Sequence, residues 1–569
     1  MSEIYDQDLE PEKTSGLKTW FFWLLGGLLV GCLLLIVGNL IGSGNDGDAS
    51  DADRSIASYR SQSIDWASCD ESMLVPVDWR DSEFDASSAQ CGEFAVPATY
   101  SLIVGKDLPD LSIMVLRTPA LDQENKLGTL FFNPGGPGES GIELIQSLMV
   151  PDEIRQKYDL VGFDPRGVGK SSPIKCSDSD SIDYYFETVS SPEDEVEGDA
   201  NQAWDRAATE NCAELNPNWW VMTTLNTVQD MDVMREVITG DEPFNFVGFS
   251  YGTTLAVEYI RAFPEHAGRI VLDSVTSNDG TDYNQAELES TYKALVALFE
   301  LCAADAKCPG ESVADVENLI FAAQDKANAG TLSGSAKGLS SLETEGDFIA
   351  SDDQLLYYGL VSLTYGDTND SYPYFLEAMN ELVKGDAWGF EYEALSLIGW
   401  SSESDSSDDW ERNNSSDILN IVNCLDIDSR DERSLKTIKK DEERFAAADP
   451  FTSKFFAADS DYVYVGDRAG CQWSWLAFDD LAIPDPPVAM ESPVNESGKT
   501  FLVISSKLDT VTPIENAKYT AEKLSSRMLI YEGSGHAPSF GGIACIDDAV
   551  TKYLVEGYLP TETIVCAEK

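Results

Sequence analysis

The sequence predicts an alternating α/β architecture, with a mostly parallel central sheet and a largely helical cap inserted late in the chain. Three observations predict it: short apolar runs ending in glycine-rich turns, segments of helical apolar spacing between them, and a return of strand character after a long helical stretch. Residues 127–132 run into Asn133-Pro134-Gly135-Gly136-Pro137-Gly138, and residues 158–163 into Asp164-Pro165-Arg166-Gly167, as strands feeding loops. A helix is predicted over 226–238, where Val228, Met231, Met234, Val237 and Ile238 share a face, followed by a strand over 244–247, a helix over 252–263 and a strand over 269–273. Beyond Asn278 the pattern turns to helical segments at 287–302 and 313–327, with an acidic, serine-rich stretch at 401–409. Strand character returns at 500–505 and 527–531. The expected organisation is therefore a core over 66–277, a cap or lid over 278–496, and the rest of the core over 497–569.

A chain of 569 residues accommodates one such core with a large insert. Its 100 Asp and Glu against 38 Lys and Arg give a formal charge of −62, which repels phosphate backbones and anionic lipid headgroups and excludes a nucleic-acid partner. Such acidity suits solubility in a salty or wall-associated environment. Its sharper implication is a preference for cationic substrates such as free peptide N-termini. Of eleven cysteines, Cys32 lies in an apolar N-terminal run, leaving Cys69, Cys91, Cys176, Cys212, Cys302, Cys308, Cys424, Cys471, Cys545 and Cys566. With no Cys-x-x-Cys pair and only two histidines, zinc-ligand spacing is missing and neither a metal nor a cofactor is implied; disulfides in an oxidising compartment are the economical reading. Pairing of sequential neighbours would close short local loops.

Residues 20–38 carry no charge, and the apolar run continues to Ile41, long enough to cross a hydrocarbon layer of roughly 30 Å as a helix. Lys13 and Lys18 precede it, while Arg54 follows among Asp46, Asp48, Asp51 and Asp53, so the charge bias puts the N-terminus inside. The expectation is a cytoplasmic tail over 1–18, a span over 19–42, a flexible acidic tether over 43–65 and an extracellular catalytic part. The alternative is a lipid anchor, because Leu29-Val30-Gly31-Cys32 resembles a lipoprotein processing box; the apolar residues after Cys32 speak for the uncleaved span.

Gly248-Phe249-Ser250-Tyr251-Gly252 fits the Gly-x-Ser-x-Gly nucleophile elbow, with an apolar strand before it and a helix after it. A serine hydroxyl needs a base to take its proton, and the chain offers only His266 and His536. His266 lies in the link after the elbow helix, a loop position. His536 follows the last predicted strand in Gly533-Ser534-Gly535-His536 and obeys the order Ser, Asp, His. Asp509, after the penultimate strand, is the acid that would orient it; Asp273, at the end of the strand after the elbow helix, is the alternative and reads more simply as a carboxylate capping a loop. This order is that of the α/β-hydrolase fold. One oxyanion donor is expected from the Tyr251 amide and the other from Gly135 or Gly136. Asp164-Pro165-Arg166-Gly167-Val168-Gly169-Lys170-Ser171 ends like a phosphate-binding loop, but Asp164 stands where the first glycine would be, so it reads as a structural turn.

On Asn133–Gly138, Asp164–Ser172, Gly248–Thr253, the Asp509–Pro513 segment and His536, the chain resembles the tripeptidyl/prolyl aminopeptidase group of α/β-hydrolases, in its secreted branch with a TAP-like C-terminal region. The resemblance covers about Cys69 to Cys566, and Cys424-Leu425-Asp426 and Cys471-Gln472-Trp473-Ser474-Trp475 look like that family's cap-side cysteine elements. It implies a serine exopeptidase that cuts short units from free peptide N-termini, with carboxylates holding the terminal ammonium. Glu139 and Asp426 are the candidates for that role; Glu139 stands where the family form has glycine, so its acid would either read the amine or alter the oxyanion loop. A carboxylesterase using the same triad is the second reading, since fold and triad do not fix the leaving atom. A catalytically idle surface binding protein is the third, and would be marked by a missing triad member.

Overall fold

The computed structural model describes residues 56–76, 80–81, 84–100, 108–176, 206–207, 209–276, 283–329, 331–332, 353–397, 400–402, 410–426, 447–455 and 495–567. The expected span and its alternative anchor at Cys32 lie outside them; among the described residues no helix is long and apolar enough to cross a membrane.

The chain enters through a short helix, Ile56–Arg60, and builds β1 (Ala67–Ser68), β2 (Gln90–Val96), β3 (Leu111–Thr118), β4 (Gly128–Asn133), β5 (Tyr158–Phe163), β6 (Phe244–Phe249) and β7 (Ala267–Asp273). Helices Gly141–Ser147, Thr224–Thr239 and Tyr251–Ala262 connect the parallel strands. The insertion then supplies helices Tyr283–Ala304, Val313–Asn328, Asp353–Ser362, Thr368–Leu382, Trp388–Leu397, Ser415–Asp426 and Pro450–Phe455, and a small hairpin of β8 (Trp400–Ser402) and β9 (Trp410–Arg412). The sheet resumes with β10 (Leu502–Leu508), β11 (Arg527–Ser534) and β12 (Ile564–Cys566).

Ten strands form one sheet in the order β1-β2-β3-β5-β4-β6-β7-β10-β11-β12. β1, β2 and β3 pair antiparallel up to β5, and every pairing from β5 to β12 is parallel. The central strands bury both faces, which is why they read as continuous apolar runs. Along β6, Phe244 and Phe246 enter one core, with Phe131 and Tyr259, while Val247 and Phe249 enter the other, with Phe132 and Tyr531. The antiparallel strands β2 and β3 were not apparent in the sequence: β2 alternates buried Cys91, Phe94 and Val96 with Gly92 and the exposed Glu93, so no apolar run marks it.

The turn after β5 is held from beneath. Arg166 is buried and donates to both oxygens of Asp230, at 2.8 and 2.6 Å, and to the carbonyls of Ala98 and Val221. Asp164 accepts from Ser140 Oγ at 2.5 Å and the Lys170 amide at 2.9 Å. Its carboxylate is spent inside the turn, as a structural turn requires and a phosphate loop does not.

The disulfides join sequential neighbours: Cys69–Cys91, Cys176–Cys212, Cys302–Cys308 and Cys545–Cys566. Cys424 is disulfide-bonded as well, and Cys471 lies outside the described residues.

The cap has its own aromatic core, including Phe299, Phe375, Phe390, Phe451 and Phe455. Glu391 is buried beside it, and among the described residues neither carboxylate oxygen has a hydrogen-bond partner. Burial, with Asp386 adding repulsion, pushes its pKa from 4.5 up to about 8. The acid thus binds its proton more tightly folded than unfolded, and its penalty on stability grows as pH rises from 4.5 and is complete above about 8. Glu391→Gln should remove that slope, raising the stability of the protein at pH 8 relative to wild type by about 1.4 kcal/mol per unit of pKa difference and leaving pH 4 unchanged. Thermal unfolding of both proteins at the two pH values tests this; equal gaps at both would contradict it.

Candidate active site

The sheet order puts the ends of β6, β7, β10 and β11 side by side, and these four ends carry Ser250, Asp273, Asp509 and His536. Ser250 is the residue between β6 and its helix, held at φ +51° and ψ −124°, a strained conformation for a residue with a side chain. Two glycines permit it. A Cβ on Gly248 would sit 2.4 Å from the Gly252 carbonyl oxygen, and one on Gly252 would sit 2.7 Å from that of Asn133. The Ser250 amide donates to the Asp273 carbonyl at 3.0 Å, which ties the elbow to the end of β7.

Asp509 is fully buried, and both its oxygens lie 3.0 Å from His536 Nδ1. It also accepts from the amides of Val511 and Thr512 and from Thr512 Oγ1. Burial works against the carboxylate, but His536, Ser274 and Thr512 together hold its pKa below the ordinary value. For His536 burial favours the neutral ring; the Asp509 carboxylate, with Asp273 behind it, outweighs this and raises the pKa above 6.5. The pair therefore has the arrangement that fixes the Nδ1–H tautomer and leaves Nε2 free to accept a proton. Among the described residues the Ser250 hydroxyl makes no hydrogen bond, a contact that commonly tightens only with substrate in place.

Asp273 takes a different part. It accepts from the Ser539 amide at 2.9 Å and from the Ser539 hydroxyl, holding the loop after His536, and burial pushes its pKa up to about 6. His266, the other imidazole, is bonded to Asp232 at 2.7 Å and stacked on Phe263, with its ring nitrogen engaged away from the serine.

The glycine loop lies directly on the elbow: a Cβ on Gly135 would be 2.5 Å from the Phe249 carbonyl oxygen and 3.0 Å from Ser250 Cβ. The Gly135 amide, however, donates to Asn133 Oδ1 at 3.1 Å. Among the described residues the Gly136 amide is not so engaged, and Tyr251 stands at the first turn of its helix, where amides have no helical partner. Glu139 is solvent-accessible, and its Cγ lies 3.3 Å from a Cβ built on Gly136. Crowding by the protein still raises its pKa, against a hydrogen bond from Ser415. Asp426 is differently placed: its two oxygens accept from the amide (3.2 Å) and hydroxyl of Thr224, and burial raises its pKa to about 7. Those bonds tie Asp426 to Thr224.

The cap also reaches residues that no local sequence signal marks. The His536 amide donates to the Tyr365 carbonyl at 2.7 Å, and the Tyr365 ring lies edge-on to the imidazole at 5.8 Å. Ser290 donates to the Asp509 carbonyl, and Thr368 bonds to Ser534 at 2.6 Å. The loops that carry the acid and base are thus braced by cap helices. Thr512, three residues after Asp509, is the one helper visible in the sequence as a hydroxyl in the acid's own turn.

Residues 128–300 match the alpha/beta hydrolase fold family and residues 470–566 the TAP-like protein family. The chain is 28% identical over 538 residues to a serine protease of Mycobacterium tuberculosis, covering 89% of this chain and 91% of the relative. It is 28% identical over 525 residues to a tripeptidyl aminopeptidase of Streptomyces lividans, covering 86% of each, and 25% identical over 567 residues to carboxylesterase B of M. tuberculosis, covering 95% and 96%. With the parallel sheet and the serine elbow at the end of β6, these likenesses make the chain a serine hydrolase of the α/β-hydrolase fold with a TAP-like C-terminal region.

Proposed function

We propose that the protein is a tripeptidyl aminopeptidase-like serine exopeptidase, held by its N-terminal segment with the catalytic part outside the membrane. The observation that carries the chemistry is the Asp509–His536 pair, set at strand ends beside the strained Ser250. Ser250 Oγ attacks the scissile carbonyl carbon while His536 Nε2 takes its proton. The amides of Tyr251 and Gly136 hold the oxyanion, and His536 returns the proton to the leaving amine. Water, deprotonated by the same ring, then releases the acyl group from Ser250. The Asp509 carboxylate stabilises the imidazolium formed in each step. Glu139, accessible and beside the oxyanion loop, is the carboxylate assigned to the substrate ammonium. The disulfides favour an oxidising, extracytoplasmic setting, and the apolar run over 19–42 favours a span over a lipid anchor at Cys32.

The likeness to a carboxylesterase keeps small esters as the second reading. The purified full-length protein should release chromophore from tripeptide substrates with a free amine, lose that turnover when the amine is blocked, and lose it in Ser250→Ala by at least about 10³-fold. Equal cleavage of blocked and free peptides would refute an exopeptidase, and turnover of short-chain esters alone would select the esterase.

A further inference from the structure

We propose that the cap helix Ser415–Asp426 is a strut that sets the spacing of the two oxyanion donors, with Asp426 as a positioning residue acting on Tyr251 through Thr224. The inference rests on Ser250 being the nucleophile and on the Tyr251 and Gly136 amides being the donors.

One end of the helix meets the glycine loop. A Cβ on Gly138 would lie 2.3 Å from the Ser415 carbonyl oxygen, and Glu139 is hydrogen-bonded to Ser415. Just before the helix, Asn414 donates to the carbonyls of Gly167 at 2.7 Å and Ile174 at 2.6 Å and accepts from the Gly169 amide at 3.1 Å. The middle of the helix is set in the main core through Ile418, Ile421, Val422 and Leu425. The other end meets the elbow: Asp426 accepts from the Thr224 amide and hydroxyl, and the Thr224 oxygen is bonded to the Tyr251 phenol.

The chemistry of these groups fixes the direction of that chain. The Thr224 hydroxyl has a single proton and donates it to Asp426, so its oxygen is left to accept from the Tyr251 O–H. The phenol is thereby anchored through Thr224, which lies 202 residues along the chain from the carboxylate that orients it. Tyr251 follows the strained Ser250 at the first turn of its helix, and holding its ring restrains the turn that carries the amide taken as an oxyanion donor. One helix thus touches the loop carrying one donor and, through Thr224, reaches the residue supplying the other. Misplacing a donor by a fraction of an ångström weakens binding of the tetrahedral state more than binding of the substrate.

The test compares Asp426→Ala, Thr224→Val and Tyr251→Phe with wild type in the full-length protein, using a short-chain ester and a free tripeptide as substrates. Rates are divided by the number of sites that a fluorophosphonate labels, so that misfolded protein does not count. Each variant should lose about ten- to a hundredfold in kcat per labelled site, with KM within about threefold. Affinity for a boronic acid, which forms a tetrahedral adduct on the serine, should fall by the factor seen in kcat. Thr224→Ser, which keeps the hydroxyl, should behave as wild type, and the Thr224→Val/Tyr251→Phe pair should be no worse than the poorer single variant. If Asp426→Ala fails to fold, the two single-oxygen deletions decide. Wild-type kcat per site, or a fall in kcat with unchanged boronate affinity, overturns the strut. Turnover surviving in Ser250→Ala would instead remove the nucleophile assignment on which it rests.

Discussion

Replacing Asp509 by asparagine is expected to lower kcat by about 10³- to 10⁴-fold while leaving the fold and KM nearly unchanged. Both oxygens of Asp509 stand 3.0 Å from His536 Nδ1, and the carboxylate also accepts from Thr512 and Val511. An amide of the same shape turned with its NH₂ toward the ring would make Nδ1 an acceptor and move the ring proton to Nε2, facing the serine. The imidazole then has nothing with which to accept the Ser250 proton. The pH profile supplies a second readout. Protonated His536 is not a base, so activity falls as pH drops through its pKa, and that pKa is held above 6.5 because the Asp509 carboxylate outweighs burial. In Asp509→Asn the acid limb of the residual activity should move to lower pH, with only Asp273 left to favour the charged ring. Asp273→Asn serves as the comparison: that carboxylate secures the Ser539 loop rather than Nδ1, so its loss should cost far less kcat. If the two variants were equally impaired, or Asp509→Asn lost less than about tenfold, the acid would have been misassigned.

The parts of this site that were legible beforehand are those whose signal is local. Ser250 stands out because a strained strand-to-helix turn needs Gly248 and Gly252 at fixed offsets, between an apolar strand and a helix. His536 could be singled out because the chain has two histidines and only one follows the last long strand. The central strands were legible because both their faces are buried, whereas β2 and β3 alternate and were passed over. The choice between Gly135 and Gly136 depends on one side chain, Asn133, accepting one amide, and no pattern of residue types records which of two adjacent glycines it binds. The bonds between Asp426 and Thr224 join residues far apart in the chain and leave no local trace in the sequence. The bracing of the acid and base loops by Ser290, Tyr365 and Thr368 is likewise long-range and carries no spacing signal.

Gly135→Ala tests the glycine loop with the next largest effect. Gly135 has φ +104°, a region that costs an L-residue about 1–3 kcal/mol, and the added methyl would meet the Phe249 carbonyl oxygen at 2.5 Å and the Tyr251 nitrogen at 2.8 Å. All of these are backbone atoms of the elbow, so no flexible side chain can swing away. Either the loop lifts, carrying Gly136 with it, or the elbow shifts and Ser250 leaves its place between β6 and its helix. Both responses separate the nucleophile from the loop's oxyanion donor. Loss of one such donor costs about 10²- to 10³-fold in kcat, and the displaced loop should lower stability by at least about 2 kcal/mol. Gly498→Ala isolates the backbone cost: that glycine also has a positive φ, +68°, but an added methyl would meet nothing within 4 Å. It should lose stability through strain alone and keep kcat. Comparing the two variants by thermal unfolding and by turnover per labelled serine separates the effects. A Gly135→Ala protein with wild-type kcat would show that the loop does not supply an oxyanion donor, and would leave the Tyr251 amide to act without it.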